Sequence, residues 1–260
     1  MISKDIQYWK DNHESWMTEK PFRYWQIDGM LDGAVLDNIA DYDKIQKAWD
    51  YAMSEPNPSK RWGASEFWND LEGKRGLNNV SGDPEIHGVL NYLNSDEFIG
   101  FLRHITGIED LIGDDSFAGG GVHIIPRGGK LGVHCDFSIH DDQKFNGYWR
   151  RVNVLLYMNH DWKDEWEGHL ELWDKPRKRG GECVSKIRPD FNKMIIFGTS
   201  ENSWHGHPTP LACPEDKKRI SLATYYYSKQ PSSDTSNHST LFAESDDHLN
   251  WMKGEGLIDV

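Results

Sequence analysis

The chain contains no HExxH helix, no CxxC pair and no nucleotide-binding glycine fingerprint after a strand. The commonest hydrolytic zinc site, a zinc ribbon and a dinucleotide site therefore lack their motifs. Cysteine is scarce: Cys135, Cys183 and Cys213 are widely spaced, and so few thiols, odd in number, fit a reducing compartment better than a disulfide scaffold. No run approaches ~18 apolar residues, and the start, Met1-Ile2-Ser3-Lys4-Asp5, has no signal-like apolar core, so a cytoplasmic location without a membrane partner is expected. Positive charge is also in deficit. Lys and Arg number 29 against 42 Asp and Glu, a net charge of -13, which argues against duplex nucleic acid as a partner. The basic run Arg177-Lys178-Arg179 reads as a solvated hairpin loop ending in Gly180-Gly181.

With 37% hydrophobic and 27% charged residues over 260 positions, the composition is that of a globular protein able to bury one sizeable core. Aromatics are abundant, including 12 tryptophans. Residues 1–110 read as helical and irregular. Leu36, Ile39, Ala40, Ile45, Ala48 and Trp49 follow a weak helical period. Asp83-Pro84-Glu85 has the cap and first-turn proline of a helix whose stripe is Ile86, Val89, Leu90 and Leu93, and Phe98 to Ile105 continues as another. Trp9, Trp16, Trp25, Trp49, Trp62 and Trp68 need a surface to bury against, so this region is expected to be integral to the fold and to supply one wall of a substrate entrance. Within it, Arg61 and Trp62 beside Gly63 form a candidate recognition loop.

From Gly119 the character changes to β. Residues 121–125, 131–136, 152–158, 169–173, 183–187, 194–197 and 220–227 read as strands, separated by turns such as Pro126-Arg127-Gly128-Gly129 and Pro189-Asp190-Phe191-Asn192. Short strands at this spacing indicate a sandwich or jelly roll rather than βαβ units. The expected organisation is a support region, 1–110, a β core, 111–230, and a loosely packed polar tail, 231–260, with a loop around Leu241-Phe242.

His134-Cys135-Asp136 ends one such run. On a strand, the two-residue period puts the imidazole and the carboxylate on one face. A second imidazole can return from Ser203-Trp204-His205-Gly206-His207-Pro208. His205 is favoured because Trp204 and Gly206 suit a packed approach, whereas His207 precedes Pro208 and suits a mouth or turn. Two histidines and one carboxylate on one side of a metal suit non-haem Fe(II), with zinc as the inorganic rival. Arg219 and Ser221 alternate onto one face of the last strong strand, offering a guanidinium fork and a hydroxyl to a carboxylate; the bland alternative is a surface arginine in the charged run 215–219.

These pieces, together with Arg151-Val152-Asn153-Val154-Leu155-Leu156-Tyr157-Met158-Asn159 and Trp166-Glu167-Gly168-His169-Leu170-Glu171-Leu172-Trp173, resemble the Fe(II)/2-oxoglutarate-dependent oxygenases, especially their prolyl-hydroxylase-like branch. The resemblance implies a mainly β double-stranded β-helix with N-terminal helices packed on the major sheet. It implies Fe(II) on His134, Asp136 and His205, the far carboxylate of 2-oxoglutarate on Arg219 and Ser221, and O2 as second cosubstrate. Hydroxylation is the implied outcome, with release of succinate and CO2, because a carboxylate at position 136 keeps out the halide that halogenating relatives admit.

The chain departs from the family pattern at Ile125, where many relatives have tyrosine, and at His169, where a second glycine is usual. Candidate pocket or substrate contacts are Tyr157, Trp162, Trp166, His169, Trp173, His207, Arg61 and Trp62. A small-molecule or amino-acid-like substrate is favoured here over a peptidyl-prolyl one. A noncatalytic jelly-roll binding module is the alternative from another class.

Overall fold

The computed structural model describes residues 1–41, 43–47, 64–66, 75–77, 83–140, 147–231 and 236–243. Helices of the first part of the chain, among the described residues, include α1 (Ile6–Asp11), α2 (Gly33–Asp37), α3 (Pro84–Leu93) and α4 (Asp96–Thr106). Among the strands, β1 (Met17–Thr18), β2 (Tyr24–Asp28), β3 (Ala64–Glu66), β4 (Arg75–Leu77) and β5 (Ile112–Gly113) also precede the core. The core contributes β6 (Gly121–Ile125), β7 (Leu131–Cys135), β8 (Trp149–Tyr157), β9 (Leu170–Trp173), β10 (Cys183–Ile187), β11 (Lys193–Gly198), β12 (Trp204–His207) and β13 (Arg219–Ser228). A short last strand, β14 (Leu241–Phe242), follows.

The strands form two facing sheets, as a double-stranded β-helix requires. The major sheet runs β1-β2-β11-β8-β13-β6-β4-β3, with β5 also on β13; the minor sheet runs β10-β9-β12-β7-β14. Alternation along the central strands sorts their side chains. Val122, Ile124, Val152, Val154, Leu156, Ile220 and Leu222 point away from the minor sheet and are buried against the helices. His123, Asn153, Tyr157, Arg219, Ser221 and Tyr225 point between the sheets, where they line a cavity.

The two longer helices are built as their sequences dictate. Asp83 accepts hydrogen bonds from the amides of Glu85 and Ile86, each at 3.0 Å, with Pro84 in the first turn of α3. Ser95 caps α4, and Gly107, at φ +72°, ends it in the left-handed conformation. A helix of 10 or 11 residues is marginal alone. Burial of Ile86, Val89, Leu90 and Leu93 on one stripe stabilises α3, at roughly 1.5–3 kcal/mol per side chain. Phe98, Phe101, Leu102 and Ile105 do the same for α4.

Two expectations change. The first part of the chain is not only helical and irregular: β2 pairs with β11 from Asp28↔Lys193 to Tyr24↔Phe197, and β4 pairs with β6, so it extends both edges of the major sheet. Tyr24-Trp25-Gln26-Ile27-Asp28 mixes polar and apolar residues because its edge is half covered, which weakens its period-two signal. Leu241-Phe242 is not a loop in a loose tail. It pairs with β7, Phe242 opposite His134, and Ala243 donates to the carbonyl of Val133 at 2.8 Å. Ser138 and His238 pin the approach, the amide of each donating to the other residue.

Candidate metal centre

His134 on β7 and His205 on β12 are direct partners across the minor sheet, with ring centroids 4.4 Å apart. Gly206 allows that approach. A Cβ there would stand 2.7 Å from the carbonyl oxygen of Gly132 and 2.9 Å from that of Leu131. Asp136, one residue beyond β7, completes the group; one donor atom from each of the three residues falls within 4.8 Å of the others.

Backbone carbonyls orient both rings. His134 Nδ1 lies 2.9 Å from the Gly132 oxygen, and His205 Nδ1 lies 2.8 Å from the Ser203 oxygen. A carbonyl can only accept, so each Nδ1 carries the proton and each Nε2 presents a lone pair. This is the support usual for metal-ligating histidines. Burial, reinforced by neighbouring His205, pushes the His134 imidazole below its ordinary value and keeps it neutral. For Asp136, burial acts upward, but the Arg150 guanidinium and His205 outweigh it and hold the carboxyl well below the usual range. Two imidazoles presenting Nε2 and one ionised carboxylate are the facial donor set of non-haem Fe(II) sites, and the residues fit that ion.

Arg219 opens β13 in the same cavity. Its Nε donates to the Gly168 carbonyl at 2.7 Å, its Nη2 lies 3.2 Å from the Tyr157 hydroxyl, and only 5% of the residue is exposed. No carboxylate among the described residues forms an ion pair with it. Burial therefore lowers its proton affinity, with the Tyr157 phenol opposing. Gly168, at φ +76°, leaves the space: a Cβ there would stand 2.3 Å from a Leu211 methyl and 3.1 Å from Arg219 Cδ. Ser221 lines the cavity one inward position along, as the alternation requires.

Of the other sequence-derived candidates, Tyr157 and His207 line the cavity, as does Ile125. Trp162 packs edge-on to Trp166, centroids 5.4 Å apart, in a cluster with Ile125, Leu211 and Cys213, and its indole N–H donates to the Glu167 carbonyl. His169 pairs with Asp164 at 3.2 Å, outside the cavity lining. Trp173 donates to Glu171 at 3.0 Å and packs with Val133, Cys135 and Trp204 on the opposite face of the minor sheet. Arg61 and Trp62 lie outside the described residues.

Sequence reasoning gave no role to Arg150, Asn153, His123 or Tyr225. The structure places Asn153, His123 and Tyr225 in the cavity wall and Arg150 behind Asp136. A signal was present: Asn153 interrupts the apolar run Val152-Val154-Leu155-Leu156, and a buried polar residue there needs a partner. Burial pushes the Tyr225 phenol up to about 12, so it stays protonated and donates to the Gly119 carbonyl at 3.0 Å.

Fold and site together define a double-stranded β-helix oxygenase. The family model of the 2OG-Fe(II) oxygenase superfamily matches residues 120–227, the stretch that holds all three metal ligands and Arg219. Over that stretch the chain matches the superfamily's model, its fold is that of solved prolyl hydroxylases, and His134, Asp136 and His205 form the facial donor set of Fe(II)/2-oxoglutarate dioxygenase machinery.

A prolyl-4-hydroxylase of Pseudomonas putida is similar at TM-score 0.53 and 13% identity, covering 86% of this chain and 99% of its own. A prolyl hydroxylase of Trichoplax adhaerens, in complex with a hypoxia inducible factor oxygen degradation domain peptide fragment, is similar at 0.51 and 15%, covering 86% and 87%. A prolyl 4-hydroxylase of Phytophthora capsici gives 0.51 and 14%, covering 98% and 76%. No curated protein sequence matches the chain.

These likenesses correct the expected substrate. The preference for a small-molecule or amino-acid-like substrate is overturned, since these three similar folds are prolyl hydroxylases and one is seen with a peptide fragment. The aromatic and acidic residues of 159–166 include Trp162 and Trp166, which pack on each other rather than facing the cavity. Among the described residues, no helix is long and apolar enough to cross a membrane.

Proposed function

We propose that the protein is a peptidyl-prolyl hydroxylase that oxidises a prolyl C–H bond in a peptide or protein segment while consuming 2-oxoglutarate. The observation that carries the cosubstrate assignment is Arg219, a buried cation with no acidic partner among the described residues, in one cavity with three metal donors. Burying an unpaired charge is costly, so a site that does so is suited to an anionic ligand. A guanidinium fork with the Ser221 hydroxyl matches a carboxylate.

His134, Asp136 and His205 would hold Fe(II). With 2-oxoglutarate and O2 the iron supplies the oxidising power that replaces hydrogen by hydroxyl, releasing succinate and CO2. Arg219 and Ser221 grip the far carboxylate, and Tyr157 fixes the guanidinium through its hydroxyl. Ile125, Leu155 and Leu170 give the cavity apolar walls that exclude water. The two edges that β2 and β4 add to the major sheet support the view that residues 1–110 are integral to the catalytic unit. The three free cysteines are in keeping with a reducing, cytoplasmic setting.

The test is to incubate the full chain with Fe(II), 2-oxoglutarate and a library of proline-containing peptides, with His134→Ala as control. Peptide-stimulated succinate release and a gain of one oxygen atom on a prolyl residue are expected. Succinate release that no prolyl peptide stimulates would overturn the substrate assignment; none under any condition would overturn the enzymatic one.

A further inference from the structure

We propose that Arg150 and Asn153 are positioning residues that hold Oδ2 of Asp136 and so leave Oδ1 as the single carboxylate donor to the metal. This inference rests on the Fe(II) reading of the site. Proximity alone does not choose between the two oxygens: Oδ1 lies 3.4 Å from His134 Nε2 and Oδ2 lies 3.4 Å from His205 Nε2. One hydrogen bond and one ion pair do. Asn153 Nδ2 donates to Oδ2 at 2.6 Å, and Arg150 Nη2 forms an ion pair with the same oxygen at 3.0 Å. The two holders are joined to each other, Arg150 Nε donating to Asn153 Oδ1 at 2.8 Å. The result is a closed ring of three side chains around one carboxylate oxygen.

Arg150 is itself immobilised. It is 2% exposed, and its guanidinium carbon lies 3.4 Å from the Tyr225 ring centroid and 4.6 Å from that of Phe137. Its amide donates to the Ser138 carbonyl at 2.8 Å, and its own carbonyl accepts from Thr199 at 2.7 Å. It does not line the cavity, so it acts on the reaction through the side chains it holds, Asp136 foremost. A carboxylate free to turn could chelate through both oxygens and occupy one more position on the ion. With Oδ2 held, the protein would offer the ion three donor atoms and leave positions open for the cosubstrates.

The experiment compares wild type, Asn153→Ala and Arg150→Lys as full chains. Lysine keeps the charge but cannot reach both Asp136 and Asn153 as a fork does. Three quantities are measured: the Fe(II) dissociation constant by competition with a chromogenic chelator, the electron paramagnetic resonance spectrum of the nitric oxide adduct with 2-oxoglutarate present, and the apoprotein melting temperature. Loss of an outer partner of a metal ligand typically costs about 10–100-fold in affinity. Asn153→Ala is expected to fall in that range, with a weakened or altered nitric oxide signal, and Arg150→Lys to lie between it and wild type. Wild-type affinity and spectrum in both variants overturn the proposal, even if the melting temperature drops, because a packing role alone would produce that pattern. Failure of wild type itself to bind Fe(II) would instead overturn the functional reading.

Discussion

The two ends of the cavity treat charge in opposite ways. Around the metal ligands, the negative Asp136 faces the buried Arg150, and both imidazoles are oriented by carbonyl partners, so that end is compensated within the protein. At the other end, Arg219 is also buried, yet its polar partners among the described residues are a carbonyl and a phenol. The first arrangement prepares donor atoms that await a cation. On the proposed function, the second stores the cost of a desolvated cation until a carboxylate arrives. The difference teaches that buried charge marks a ligand site most sharply where it lacks its counter-charge.

Removing a metal donor should produce the largest effect and break the compensated end outright. His134→Ala or His205→Ala is expected to abolish 2-oxoglutarate turnover and to weaken Fe(II) binding beyond the ~10–100-fold typical of outer partners, as read by chelator competition. Arg219→Met comes next. It should weaken 2-oxoglutarate binding by ~2–4 kcal/mol, with Fe(II) affinity unchanged. The same ligand should then raise the melting temperature of wild type but not of the variant. If Arg219→Met also weakens Fe(II) binding, the two ends are not separate as described.

Gly206→Ala acts through the backbone. Its Cβ would push β12 from β7, since the Gly132 oxygen is 2.7 Å away. A loss of about 1–3 kcal/mol is expected by chemical denaturation, together with weaker Fe(II) binding. Unchanged metal affinity would show that the His134–His205 spacing does not depend on this contact.

A smaller effect concerns pH. The folded-state pKa of His134 lies below its ordinary 6.5, so the folded protein prefers the neutral ring. The associated stability is present above that value and declines as pH falls below it, because the unfolded chain then binds more protons. Asp136 adds a second decline below the ordinary carboxylate value of 3.8, since its pKa is also lowered. Apoprotein melting followed from neutral to acid pH should show the first decline, and His134→Gln should lack it. Smallest is His169→Ala, whose ring pairs with Asp164 away from the cavity; succinate release should be unchanged. A changed peptide dependence would move His169 into the substrate path.

Much of this was legible in the sequence, and for physical reasons. Asp83-Pro84 and Ser95 announce helix starts because capping is local chemistry. His134 and Asp136 were readable because strand alternation fixes their common face. Strand β12 was not read as a strand: Trp204-His205-Gly206-His207 carries polar residues at every other position because it lines a reactive cavity. Strand β14 escaped because two residues give no period, and its place depends on β7 far away in the chain. Arg150 was the least accessible. Next to Arg151 in a strand it looks like a solvated pair, and only the tertiary fold brings it to Asp136, with Tyr225 stacked on it.

The central claim is that one cavity offers a metal end and a separate anion end to the same small dicarboxylate. Anaerobic titration of the Fe(II) protein with 2-oxoglutarate, followed by the weak visible charge-transfer band of a chelated 2-oxo acid, tests it most directly. Wild type should develop the band and saturate, Arg219→Met should develop the same band only at much higher concentration, and His205→Ala should develop none. An Arg219→Met titration that coincides with wild type, or a wild-type protein with no band, would contradict the account.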